Sequence, residues 1–226
     1  MAIQQPKPPP NQQLYEFLLF GSVSDSELPS LLHRLRGLAD FATCGGIAFI
    51  DKEQTYKIGP WRVNSVSCTA CDICHWLFNT EIGNTRSVVR VRQSLDNAEA
   101  PLQLIYTGQL DLGDANRPAG VRSCVHTACS NNAAECLKEM GFIAVYELIL
   151  RGYVFRKGQM KIAVFKLYQP SGEGAGVPGA QLLSEHYLVE LSAVTTSGHD
   201  NVGMEMRAFA EQLKPIVTME KTDGVR

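Results

Sequence analysis

Two long apolar-rich runs meeting at a glycine set the first constraint on this chain. Residues 142–168, FIAVYELILRGYVFRKGQMKIAVFKLY, are dense in β-branched and aromatic side chains and break only near Lys157-Gly158-Gln159. That composition is a β-hairpin with a tight glycine turn, so the second half of the chain is committed to antiparallel pairing. Further extended segments join it. LYEFLLFG (14–21) is short, apolar and ended by glycine; RSVVRVRQSL (86–95) puts Val89 and Val91 on one face and Arg86, Arg90 and Arg92 on the other. LQLIYTGQL (102–110), VRSCVHTACS (121–130) and SEHYLVELSAVTT (184–196) have the same character.

Helices occupy three stretches between the strands. In SDSELPSLLHRLRGLADF, Ser24 stands three residues before Glu27, the spacing of a capping box, and Leu28, Leu31, Leu32, Leu35 and Leu38 recur at helical intervals. Pro29 is tolerable there only in the first turn. Ser130 is placed to cap NNAAECLKEM, which Gly141 ends, and VGMEMRAFAEQLKP (202–215) stops at Pro215. Roughly seven or eight mostly antiparallel strands with few crossover helices predict an α+β fold: a β-barrel, closed so that no edge is left to aggregate, with about three helices packed on it. No segment repeats at a period of about 20–50 residues, which excludes a solenoid.

Length and charge narrow the function classes. A chain of 226 residues with 45% apolar side chains fills one core. The expected division is a disordered Pro/Gln-rich tail over residues 1–13 and one domain over 14–226. Lys and Arg number 21 against 23 Asp and Glu, so no broad positive field exists to hold nucleic acid directly. No apolar run reaches the roughly 18 residues of a membrane helix, and MAIQQPKPPPNQQ has no apolar centre of a secretion signal. A soluble intracellular protein with no membrane partner is expected, and its 7 cysteines read as reduced thiols.

CTACDICH (68–75) is the loudest motif. Cys68, Cys71, Cys74 and His75 nominally supply four zinc ligands, but all fall within eight consecutive residues, with Cys74 and His75 adjacent. Structural zinc sites draw on two separated knuckles so that the metal closes a loop. If the stretch were helical, the three thiols would share a face and His75 would point about 100° away. CDICH also fits the haem attachment pattern, and CxxC a redox pair, yet neither an export signal nor a strand feeding a helix N-terminus accompanies them. A run of ordinary thiols is the plain reading, with a zinc protein as the alternative. GEGAGVPG (172–179) lacks the lysine and following helix of a phosphate loop. His33, His126, His186 and His199 stand isolated from other candidate catalytic groups.

Several stretches together resemble the Mediator subunit 18 family: EFLLFGSVSDSELPSLLHRLRGL (16–38), MGF (140–142), FRKGQMKIAVFKLY (155–168), YLVELSAV (187–194) and FAEQLKPIVTMEK (209–221). The resemblance implies a β-barrel of the Mediator head module that pairs with a related barrel, subunit 20, and docks the C-terminal helix of subunit 8. It further implies a nuclear, noncatalytic part in assembly and in contact with the RNA polymerase II machinery. Residues 44–84 match nothing in that pattern and are expected to be a family-atypical insertion. Within the resemblance, Phe155, Arg156, Lys157 and Lys161 are the candidate partner-binding residues, and no cofactor is implied.

The family barrel is similar to the triphosphate-tunnel fold, which raises a metal-dependent hydrolase as the other alternative. Such a tunnel needs cations for the phosphates and alternating carboxylates for a divalent metal. Arg86, Arg90 and Arg92 offer one basic face, and Lys157 with Lys161 a second if one strand carries both. The acidic half is thin: Glu16 on the first strand and Glu190 in YLVELSAV.

Overall fold

The glycine turn of the long hairpin forms as its sequence requires. In the computed structural model, which describes residues 14–58, 88–113, 116–170, 179–196 and 201–221, strand β6 (Phe142–Lys157) returns as β7 (Met160–Gln169), with Lys157 opposite Met160. Gly158 adopts φ +57, the left-handed value that the first position of a two-residue hairpin loop demands.

The other strands are β1 (Leu14–Val23), β2 (Ile47–Ile58), β3 (Val88–Ser94), β4 (Leu102–Thr107), β5 (Gly120–Cys129), β8 (Gln181–Leu182) and β9 (Tyr187–Thr196). They hydrogen-bond in the order β6-β2-β3-β4-β5-β1-β9-β7-β8, and β6 pairs with β7 as well. That last pairing closes eight antiparallel strands into a barrel, with β8 as a short extension beside β7. The expected α+β barrel is what the chain adopts. β2 is an addition to it. Within the stretch read as an insertion, Ile47–Ile58 pairs with β3 on one side and β6 on the other, so its first part is wall.

Three helices pack outside: α1 (Leu28–Leu38), α2 (Ala133–Glu139) and α3 (Asn201–Leu213). Leu31 and Leu35 of α1 and Met206, Phe209 and Leu213 of α3 bury against the outward residues of β1, β9, β7 and β6, among them Leu19, Leu191, Ile162 and Phe155. α2 covers a smaller cluster on the far side, where Leu137 meets Tyr56, Val89, Val91 and Leu104. The capping box of α1 is not formed as expected. Ser24 Oγ instead donates to the Glu27 carboxylate at 2.8 Å, while the Leu28 N–H donates to the Ser24 carbonyl. α1 does carry its proline in the first turn. Ser130 Oγ turns to the side chain of Asn132 rather than to the backbone of α2.

Where β6 crosses β7, Gly152 lies opposite Phe165, and a Cβ on it would sit 2.0 Å from the Val164 carbonyl oxygen and 2.6 Å from Phe165 Cα. Both are backbone atoms that cannot step aside without opening the closure. Gly152→Ala is therefore expected to destabilise the protein by about 3 kcal/mol in urea denaturation. Gly37→Ala, in α1 with nothing within 4 Å of the new methyl, is expected to stabilise by about 0.5 kcal/mol.

Candidate functional site

A strand's alternate side chains point to opposite faces, so half of every barrel strand faces the lumen. The register fixes which half. Glu16 is opposite Arg122, Glu53 opposite both Arg92 and Leu148, and Glu190 opposite both Phe20 and Ala163. Asp51, Arg90, Cys124, His126 and Lys161 share that face. The lumen thus collects four carboxylates and four cations, where the sequence pattern credits only Glu16 and Glu190 with facing inward.

The missing carboxylates come from β2. In DKEQTYKI (51–58), Asp51, Glu53 and Thr55 alternate, a D-x-E spacing that was the available signal. Of the three, it is Glu53 that engages the arginines. Arg92 Nε donates to Glu53 at 3.0 Å with a second bond from its terminal nitrogen, and Arg90 approaches the other carboxylate oxygen at 3.5 Å. Arg122 forks onto Glu16, both nitrogens at 2.7 Å. Burial disfavours charge on Glu53, but Arg92 and Arg90 outweigh it and hold the carboxyl below the usual glutamate range. Asp51 goes the other way: burial raises its pKa against the pull of Arg92 and Lys161.

The remaining reactive types in the lumen are held in quiet states. Burial, with Glu16 adding to it, pushes the Cys124 thiol up to about 12, so it carries no thiolate at neutral pH. Burial also lowers the pKa of His126 and keeps its ring neutral. Among the described residues, no three His, Cys, Asp or Glu side chains converge to hold a metal ion. Cys68, Cys71, Cys74 and His75 lie outside the described residues, as does Arg86.

One mouth of the barrel is apolar. A cavity of about 410 Å³ opens there, lined chiefly by Tyr146, Leu148, Phe165, Leu167, Leu183 and Leu188. Here β6 extends past the end of its pairing with β7, which stops at Ile149, so among the described residues the edge of β6 facing β7 has no strand partner there. Ile143, Val145 and Tyr146 on that stretch are exposed, and so are Leu182 and Leu183. The inner part of the lumen beyond this mouth is lined by Glu53, Arg90, Arg92, Arg122 and Glu190.

The four candidate residues sit at the other mouth. Phe155 is 1% exposed and lies on the outer face of the wall beneath the helices, so it anchors the hairpin instead of presenting its ring. Arg156 and Lys157 are exposed at the tip. Lys157 and Lys161 do not share a strand: the turn falls between them, and Lys161 lies opposite Arg156.

A family model described as Med18 protein matches residues 15–225. Proteins named Mediator of RNA polymerase II transcription subunit 18 are similar along nearly the whole chain. The one from Xenopus laevis is 42% identical over 213 residues, covering 94% of this chain and 91% of its own length. The one from Aedes aegypti is 41% identical over 220 residues, covering 96% and 87%. Among solved structures, a chain of the Schizosaccharomyces pombe Mediator head module superposes with TM-score 0.69 at 12% identity, covering 92% of this chain and 98% of that one. The mimivirus capping enzyme triphosphatase superposes with TM-score 0.50 at 10% identity over 91% of each chain, a likeness of fold alone.

The Glu53 ion pairs predict a specific acid response. The folded carboxyl titrates below the unfolded one, near about 4.3, so its contribution is complete above that value and is lost as pH falls through the folded pKa. Glu53→Gln leaves Arg92 without its counter-charge and is expected to cost about 3 kcal/mol at neutral pH. Urea denaturation as a function of pH should show the gap between wild type and variant narrowing as the pH falls below about 4.3 and through the lowered folded-state value.

Proposed function

The chain belongs to the Med18 family, and from that membership we propose how it acts within the Mediator coactivator complex. It is a structural subunit that supports RNA polymerase II transcription through assembly, without catalysis. Its immediate partners, in this reading, are the related barrel of subunit 20 and the C-terminal helix of subunit 8, and its place of work is the nucleus. A match over residues 15–225 carries the assignment to the complex.

The apolar mouth supports the choice of a helix as partner. A helix lays an apolar stripe into a groove, and the exposed Ile143, Val145, Tyr146, Leu182 and Leu183 beside a cavity of about 410 Å³ offer such a surface. Phe155, Arg156, Lys157 and Lys161 belong to a second contact face at the opposite mouth. A hydrolase reading has no comparable support, since the lumen arginines Arg92 and Arg122 are already bound to carboxylates.

Co-expression with subunits 20 and 8 followed by size-exclusion chromatography tests the reading. A single peak containing all three chains is expected, with the chain poorly behaved when expressed alone. Tyr146→Asp combined with Leu183→Asp should reduce retention of subunit 8 at least tenfold while leaving the melting temperature near that of wild type, because both side chains are exposed. A monomer indifferent to both partners would overturn it.

A further inference from the structure

The connection from α1 to β2 carries an aromatic ring held almost wholly in water. Phe41 is 95% exposed; Ala42 and Ala48 beside it are exposed, and Ile47 is 55% exposed. Folding gains nothing from that ring. The backbone beneath it is nonetheless tightly fixed. Asp40 N–H donates to the Arg156 carbonyl at 2.8 Å, Arg156 N–H donates to Thr43 Oγ1 at 2.9 Å, and Gly158 N–H donates to the Asp40 carboxylate at 2.8 Å. Gly46, at φ +73, lets the chain pass over the buried Phe155 ring, where a Cβ would come within 2.8 Å of a ring carbon. The short 3-10 turn Phe41–Thr43 is thereby clipped to the tip of the β6–β7 hairpin, just before β2 begins at Ile47.

Charge around the ring has a sign. Arg156 and Lys157 are exposed and form no ion pair among the described residues, and Lys161 faces Arg156 across the hairpin. One acid lies among them: Asp40, half-buried, turns its carboxylate to the Gly158 N–H at the tip and offsets one charge, which leaves the surround of Arg156, Lys157 and Lys161 net positive, while Asp51 lies in the lumen beside Arg92 and Lys161. A rigidly mounted aromatic with a cationic surround is the composition of an interface anchor, where Phe41 would supply the desolvated centre and Arg156 and Lys157 the polar rim.

We propose that this mouth of the barrel docks a neighbouring Mediator subunit that offers an apolar pocket for Phe41, rimmed by carboxylates that meet Arg156 and Lys157. The proposal rests on the assembly reading above and assigns the second contact face its chemistry. Phe155 enters it as the buried support of the mount, and Phe41 takes the place of the side chain that reaches the partner.

The test uses the full chain added to purified head-module subunits lacking it, with binding measured over a series of salt concentrations. Phe41→Ala is expected to weaken binding about 30-fold at every salt concentration, and its melting temperature should equal that of wild type because the ring buries nothing. Arg156→Glu with Lys157→Glu should weaken binding at low salt and flatten its salt dependence. If the wild type itself does not assemble, the assembly reading fails first. If it assembles and all variants bind as tightly, or if Phe41→Ala abolishes only self-association of the chain, this proposal fails alone.

Discussion

Closing eight strands into a barrel creates an interior that every second residue of every strand must help to fill. This chain resolves the demand in two zones. Toward the apolar mouth, Leu150, Ala163 and Phe165 pack with Leu148, Leu167 and Leu188. Deeper in, Glu16 with Arg122 and Glu53 with Arg92 face one another across neighbouring strands. Each of these four charges is tolerable because its counter-charge sits at the facing position of the next strand, so for these two pairs barrel register and ionic pairing specify each other. A one-residue slip of β2 would turn Glu53 out and leave Arg92 alone in the lumen. The closing pair, β6 with β7, locks that register by placing Gly152 where the strands come too close for any side chain.

The same ionic zone explains what was legible in the sequence and what was not. Strands whose inward or outward face is purely apolar declared themselves: β6 and β7 as one long hairpin, β3 by its alternating Val89 and Val91. β2 did not, because IAFIDKEQTYKI turns Asp51, Glu53 and Thr55 inward and has no polar-out, apolar-in period to detect. A barrel with a charged lumen breaks the rule that hydrophobic alternation marks the core face. That is why residues 47–58 look like part of an insertion in sequence, since the family resemblance is carried by apolar stretches on either side. The hairpin residues look like one functional group in sequence, yet strand alternation buries Phe155 beneath the helices while Arg156 and Lys157 stay exposed at the tip. Phe41 had no signal at all: in DFATCGG nothing periodic separates an exposed ring from a buried one.

Fold likeness and chemical likeness part company inside the barrel. The wall superposes on a viral triphosphatase across nearly its whole length. A tunnel that holds a triphosphate needs cations whose charge is unspent and carboxylates free to bind a metal. Here the strongest cations and carboxylates satisfy each other, the lumen thiol is held protonated and the lumen histidine neutral. What a phosphate would contribute, the chain already contains as side chains. The fold is stabilised in part by its own charges, an arrangement suited to a part whose outer surfaces do the work.

Those surfaces lie at opposite ends for a geometric reason. β6 runs sixteen residues, roughly 50 Å of extended chain at the usual rise per residue, and it pairs with β2 from Phe142 to Val154 across one register shift. Its first stretch, Ile143 to Leu148, forms one lip of the apolar mouth; its last residues, Arg156 and Lys157, carry the clipped loop with Phe41. Between them the outer wall is covered by helices α1, α3 and α2 and offers no comparable exposed apolar surface among the described residues. Two neighbours gripping the two ends would not compete for area, and both would bear on one continuous strand. A displacement at either end would have to strain the hydrogen bonds of β2 and β7 and the ion pairs of the lumen before it reached the other, so the barrel would act as a stiff spacer between two such neighbours.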